Sequence, residues 1–180
     1  MSWVELIVRH RNGNSIPYRS RCASLLAYPA RALKCDPDAF GSSVEEHHLL
    51  NMDAVAARIS NQKYNFVSGA FDGKLLVGTA GFFRGRNIKE HHKGNIWGVY
   101  VKAEARRQGI ARAMMRLLLD RANQIEGMEQ IMLSVAATQT AAVKLYRSLG
   151  FETYGHEKRA LKMGDRYIDE EHMVLMVRTS

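Results

Sequence analysis

The sequence predicts an α/β (α+β) chain in which helices flank a mixed, mostly antiparallel central β-sheet. Three observations carry this. Two β-type runs meet across Asp72-Gly73, the strongest short hairpin signal a sequence can give. Further on, short apolar runs alternate with helical patterns, as in a strand–helix–strand–helix unit, which calls for a mixed sheet. No internal repeat, low-complexity tract or Gly/Ser/Pro-rich linker divides the 180 residues. Residues 1–180 are therefore expected as a single domain, within the usual span of about 100–200 residues.

Val4, Leu6 and Val8 alternate, predicting a strand over Val4–His10, and Asn12-Gly13-Asn14 is a turn signal. All three prolines, Pro17, Pro29 and Pro37, lie in the first quarter, which is therefore the least regular region. Helical composition starts at Pro17 and is interrupted or ended by Pro29; Asp36–Ser43 is a loop and Met52–Ser60 a short helix. The hairpin strands are expected at Asn65–Phe71 and Leu75–Phe83. Arg84–Asn95, polar and Gly-containing, reads as a surface loop, and Ile96–Val101 as a buried strand. Gly109–Gln124 is expected to be a helix with Ile110, Met114, Leu117, Leu118 and Arg121 on one face. A strand over Gln130–Val135 follows, then a helix over Thr140–Leu149 stopped by Gly150. Phe151–Glu157 and Tyr167–Val177 close the fold as strands.

Composition narrows the function. A hydrophobic share of 46% with 24% charged residues is that of a globular chain, which excludes a disordered one. No apolar run approaches the roughly 18 residues of a membrane span, and Met1-Ser2-Trp3-Val4-Glu5 shows no secretory signal. Cys22 and Cys35 stand in no metal-type pattern and are read as reduced, which points to the cytoplasm. The 26 Lys and Arg outnumber the 18 Asp and Glu, giving a net charge of +8 that suits an anionic partner. Charge alone does not choose between nucleic acid, an anionic membrane surface and a phosphorylated ligand.

The segment Val99-Tyr100-Val101-Lys102-Ala103-Glu104-Ala105-Arg106-Arg107-Gln108-Gly109-Ile110-Ala111 chooses better. A buried strand runs through a short basic loop straight into a helix. A helix start leaves backbone N–H groups unpaired and carries partial positive charge. Gly109 permits close approach of a ligand there, and the arginines add full charges, so the loop suits phosphates. Neither a Gly-x-x-x-x-Gly-Lys-Ser/Thr loop nor a Gly-x-Gly-x-x-Gly loop is present here, which disfavours an NTPase or a dinucleotide site.

Arg106-x-x-Gly109-x-Ala111 resembles the Gln/Arg-x-x-Gly-x-Gly/Ala signature of the GCN5-related N-acetyltransferase (GNAT) family. Gln139-Thr140-Ala141-Ala142-Val143-Lys144-Leu145-Tyr146-Arg147-Ser148-Leu149-Gly150-Phe151 is similar to that family's Asn-x-x-Ala-x-x-Leu-Tyr-x-x-x-Gly-Phe block, with glutamine at the usual asparagine. Pro37–Glu46, Gly94–Val101 and Ala160–Met173 resemble a bacterial subgroup, so the likeness covers nearly the whole chain. The resemblance implies the family's acyl-CoA N-acyltransferase fold and transfer of an acetyl group from acetyl-CoA to a primary amine by direct attack. Val99, Tyr100 and Val101 would then run beside the pantetheine arm. Arg106, Arg107, Gln108, Gly109, Ile110, Ala111 and Arg112 would take the pyrophosphate, and Gln139 would touch the cofactor. A backbone N–H at Val99 or its neighbour would stabilise the oxyanion. Tyr146 would protonate the departing thiolate, a workable match because a phenol titrates near 10 and a thiol near 8.5.

The amine must also lose a proton. Glu45, after the Phe40–Ser43 loop, is the assigned base; Glu46 is its neighbour, and His172 in the last strand could also face the cleft. His47-His48 and His91-His92 do not make a metal site, since adjacent histidines on a regular element point apart, and no metal is expected. The expected partners are acetyl-CoA and an amine-bearing substrate, without specific nucleic acid or membrane; homodimers are common in the resembled family. The alternatives are a non-catalytic acyl-CoA sensor and a basic nucleic-acid-binding domain. The latter is weakened by arginines gathered at one helix start and by the lack of a zinc-finger, RRM or KH motif.

Overall fold

The computed structural model describes residues 2–7 and 63–177. They form one seven-stranded sheet in the order β1-β2-β3-β4-β5-β7-β6, with two α-helices. The strands are β1 (Ser2–Ile7), β2 (Asn65–Asp72), β3 (Leu75–Arg84), β4 (Lys93–Val101), β5 (Gln130–Ala136), β6 (Glu152–Met163) and β7 (Arg166–Met176). The helices are α1 (Ile110–Asn123) and α2 (Thr140–Ser148). Every neighbouring pair is antiparallel except β4 with β5, so the expected mixed sheet has a single parallel seam.

β2 and β3 turn at Gly73, whose φ of +58° is the left-handed conformation that a two-residue hairpin loop requires. β2 has both edges paired, with β1 and β3, and is buried on both faces; Phe66 stacks on Phe82 of β3 at 4.7 Å between ring centres. One face of the sheet receives both helices. A Cβ on Gly78 of β3 would meet Met114 Cε of α1 at 2.9 Å and Tyr100 O at 3.2 Å, so α1 packs closely over the strand there. Arg112 of α1 donates from Nη2 to Ser148 Oγ of α2 at 2.7 Å, holding the helices side by side. Each large apolar side chain of α1 buried there contributes about 1.5–3 kcal/mol.

Several expectations shift. Strand β4 begins at Lys93, not Ile96, because Gly94 and Asn95 pair with both β3 and β5 and Lys93 pairs with β5; only 85–92 remain loop, with one 3₁₀ turn at Ile88–Glu90. In α1 the buried face is Ile110, Met114, Met115, Leu118, Leu119 and Ala122, while Leu117 is half-buried, so the stripe is rotated from the one expected. β6 runs to Met163, well past Glu157, because a bulge at Arg159 carries the pairing with β7 onward. The strand expected over Val4–His10 is seen as Ser2–Ile7. The helix after Pro17, the 36–43 loop, the Met52–Ser60 helix, Cys22, Cys35, Glu45, Glu46, His47 and His48 lie outside the described residues.

Candidate active site

The site originates in a defect of the sheet. β4 pairs with β5 only at Lys93–Gln130, Gly94–Ile131 and Asn95–Met132. Beyond these, β4 stays with β3 and β5 stays with β7, and the two strands part. The cause is visible opposite Thr79–Gly81 of β3. There β4 advances three residues, from Trp97 to Tyr100, while β3 advances two. The extra residue makes a bulge that bends β4 away. Gly98 supplies its left-handed backbone (φ +60°), and the Thr79 hydroxyl donates to the Gly98 carbonyl at 3.1 Å. A wedge thus opens between Ile96–Val101 and Leu133–Ala136, past the last β4–β5 register pair.

The narrow basic loop stands where β4 ends. Lys102 N–H donates to Val77 O at 2.9 Å, anchoring the chain to β3, and a single 3₁₀ turn spans Ala103–Ala105. Arg106 turns back: its Nε donates to Val101 O at 2.9 Å and its guanidinium lies 5.7 Å from the Tyr100 ring centre. Arg107 adopts φ +63°, uncommon for a residue with a side chain, and Gly109 adopts φ +78°. Gly109 caps α1 without a side-chain hydrogen bond, and no acid sits in the first turn. Backbone N–H groups of Arg107, Gln108, Gly109, Ile110, Ala111 and Arg112 meet no carbonyl among the described residues. A Cβ built on Gly109 would meet nothing within 4 Å. The helix start is therefore an open, positively polarised cradle.

α2 brings the tyrosine. Gln139 caps the helix through its backbone: its carbonyl accepts from Ala142 and Val143 at 2.9 and 3.1 Å, and its side chain makes no capping bond. The C-terminus closes in a Schellman motif, with Phe151 N–H on Tyr146 O and Gly150 N–H on Arg147 O, at 3.1 and 3.0 Å. Gly150 permits it with φ +93°. The apolar contact that accompanies this motif is Tyr146 with Phe151, edge to face at 6.1 Å. Tyr146 is thereby fixed and buried. Burial pushes its phenol well above the ordinary tyrosine value, so it stays protonated.

The sheet face opposite the helices carries a group that sequence reading did not assemble. Ser134 Oγ of β5 lies 2.8 Å from His172 Nδ1 of β7, and His172 Nε2 lies 3.0 Å from Glu157 Oε2 of β6. Glu170 joins them: ligating atoms of Glu157, Glu170 and His172 all fall within 4.8 Å of one another. The signal for Ser134 was its place as the one hydroxyl in the apolar run Ile131–Ala136; pairing it with His172 and Glu157 needed the register. His91 lies instead against Arg86 O, at 3.1 Å, and neither His91 nor His92 belongs to a group of three ligating side chains among the described residues.

The chain is similar throughout to the acetyltransferase of GNAT family from Streptococcus pneumoniae, with a TM-score of 0.82 over 98% of this chain and 100% of that one, at 16% identity. The structure of yncA from Salmonella typhimurium with its cofactor acetyl-CoA matches with a TM-score of 0.78 over 100% of this chain and 96% of that one, also at 16% identity. At that identity the likeness establishes the fold. In sequence, 65 residues are 37% identical to NAA20 of Arabidopsis thaliana, the N-terminal acetyltransferase B complex catalytic subunit. That match covers 36% of this chain and 37% of the relative. The model of the acetyltransferase (GNAT) family matches residues 31–151, which take in the parted strands, the open helix start and the tyrosine helix up to Phe151. By that match and by its fold, the chain belongs to the GNAT family.

Proposed function

We propose that the chain is an acetyl-CoA-dependent N-acetyltransferase that acts on a primary amine. The observation that carries this is the wedge between β4 and β5 running into the open start of α1. An extended arm with strand-like hydrogen-bonding capacity fits the wedge, and a phosphate group fits the cradle at Gly109, where a Cβ would fill empty space.

In this reading Val99, Tyr100 and Val101 lie along the pantetheine arm, and the Val99 N–H polarises the thioester carbonyl beside the bulge. Arg107, Gln108 and the N–H groups from Gly109 to Arg112 hold the pyrophosphate. Arg106 and Arg112 frame the loop through Val101 and Ser148. Gln139 sits beside the cofactor at the start of α2. Tyr146, kept neutral by burial, gives its proton to the sulfur as the C–S bond breaks. The sequence assigns the amine's proton to Glu45.

The reading includes a single domain over residues 1–180, a cytoplasmic location, no resident metal and no specific nucleic acid. No helix among the described residues is long and apolar enough to cross a membrane. The test is calorimetry with acetyl-CoA, followed by thiol release over amino acids, polyamines, aminoglycosides and peptides with a free N-terminus or lysine. Micromolar binding and release with one class support the reading; failure to bind acetyl-CoA overturns it. Binding without release on any amine leaves the sensor alternative.

A further inference from the structure

Neither strand that lines the wedge brings a base to it. β4 reads Lys93-Gly94-Asn95-Ile96-Trp97-Gly98-Val99-Tyr100-Val101 and β5 reads Gln130-Ile131-Met132-Leu133-Ser134-Val135-Ala136, with no carboxylate or imidazole in either. Yet direct attack needs the amine's proton removed beside the wedge. Ser134 is two residues past the last β4–β5 pair and is exposed. Continuing the register places it across the opening from Trp97. The Trp97 indole lies over Gly81, where a Cβ would come within 2.3 Å of the ring.

We propose that Ser134, His172 and Glu157 form the relay that takes the acceptor amine's proton, in place of Glu45. The proposal rests on the acetyltransferase reading. Ser134 Oγ touches the amine and is the catalytic residue; Glu157 acts through His172 and is a positioning residue. As the N–C bond forms, the amine's proton goes to Ser134 Oγ and the serine's own proton goes to His172 Nδ1. The C–S bond breaks and the sulfur takes the phenolic proton of Tyr146. The imidazolium then returns its proton to solvent, and the phenolate regains one.

Three features support this. The contacts at 2.8 and 3.0 Å lie on opposite ring nitrogens, so a hydroxyl can donate to Nδ1 while Nε2–H donates to a carboxylate. Of the two neighbouring carboxylates, Glu157 is the one within hydrogen-bond distance of the imidazole, while burial pushes Glu170's carboxyl up, with His172 opposing and Glu157 adding to the rise. Finally, α2 and Tyr146 pack on the other face, as Arg147 of α2 pairs with Glu171, the residue beside His172 that points the opposite way. Proton removal and proton delivery therefore come from opposite faces of the sheet.

The test begins without any acceptor. In ¹⁵N-labelled protein, NMR of the His172 ring should show Nε2–H with a bare Nδ1, and Glu157→Ala should shift the ring toward Nδ1–H. Nδ1–H in the wild type overturns the relay, because His172 would then donate to Ser134 and could take nothing from it. Turnover is then measured with acetyl-CoA and the fastest amine of the panel, or with water as acceptor if none reacts. His172→Gln should lower kcat by about 10²–10⁴-fold with acetyl-CoA affinity kept. Imidazole should restore part of the rate in His172→Gly. Ser134→Ala, which removes one exposed hydroxyl, should also lower kcat. Wild-type turnover in His172→Gln, or a large loss confined to Glu45→Gln, overturns the relay. A wild-type protein that fails to bind acetyl-CoA overturns the acetyltransferase reading instead, and the ring tautomer is read independently of it.

Discussion

Replacing Gly109 by alanine separates the backbone's demand for glycine from the ligand's. With φ at +78° and ψ at 0°, any L-residue there adopts a left-handed conformation that disfavours it by about 1–2 kcal/mol. No steric penalty adds to this within the protein, since the new Cβ meets nothing within 4 Å. In a chain of this length, about 1–2 kcal/mol lowers Tm by about 2–8 °C. Binding should suffer more. The methyl would occupy the cradle and push a phosphate off the N–H groups of the first turn. Losing two charge-assisted hydrogen bonds of about 1.5 kcal/mol each comes to about a hundredfold in Kd. Gly73→Ala is the control: Gly73 has φ +58° and equal open space, but sits in the β2–β3 turn. Thermal melts and acetyl-CoA calorimetry on both variants check this. Similar Tm losses with an affinity loss only in Gly109→Ala are expected. Wild-type affinity in folded Gly109→Ala would refute the placement of the pyrophosphate.

Tyr146→Phe should keep the Phe151 packing and acetyl-CoA affinity while lowering turnover by about 10²–10⁴-fold, read by thiol release; unchanged turnover means another donor reaches the sulfur. The same substitution carries an alkaline signature: burial raises the phenol, so its stabilising share is present below the unfolded value of 10.0 and is lost as pH rises above it, and the variant's Tm should fall less there. Arg107→Gly should keep or raise Tm, since it relieves a left-handed arginine at φ +63°, while weakening acetyl-CoA binding in a salt-dependent way; calorimetry at two ionic strengths decides. At the β6 bulge the Arg159 N–H, donating to Asp169 Oδ1 at 2.8 Å, lowers that carboxyl below its usual value, with His156 assisting. The stabilising share of Asp169 is present above the unfolded value of 3.8 and lost as pH falls, so Asp169→Asn should flatten the acid limb of Tm against pH.

What could be read from the sequence was what local chemistry dictates. Asp72-Gly73 marked its hairpin, Gly150 marked the end of α2, and the basic loop marked the helix start, because each depends on a few adjacent residues. The wedge was not readable in the same way. Gly98 sits in an apolar run, and nothing in Ile96–Val101 announces that one residue will be left over against Thr79–Gly81. Likewise the sequence pattern stops at Glu157 in β6, because a charged, exposed edge strand lacks the apolar alternation on which strand expectations rest. Its true length depends on a bulge held by Asp169, ten residues away in sequence. The Ser134–His172–Glu157 set depends on another irregularity of the same pair, the register shift between Thr153 and Gly155, so three residues unremarkable in their own segments came together only across three strands.

The two irregularities of the sheet therefore divide the labour. The β4 bulge makes the opening: without its extra residue β4 would continue beside β5, their backbone groups would pair, and no arm could enter. Thr79 matters because its hydroxyl, donating to Gly98 O, holds that bulge from the neighbouring strand. The pairing of β6 with β7 then decides what stands beside the opening, since the Gly155–His172 and Glu157–Glu170 register pairs bring Glu157 to the imidazole. A regular sheet built from the same side chains would bury its core equally well and would hold neither the wedge nor the relay. In this chain the chemistry depends on where the strands fail to match.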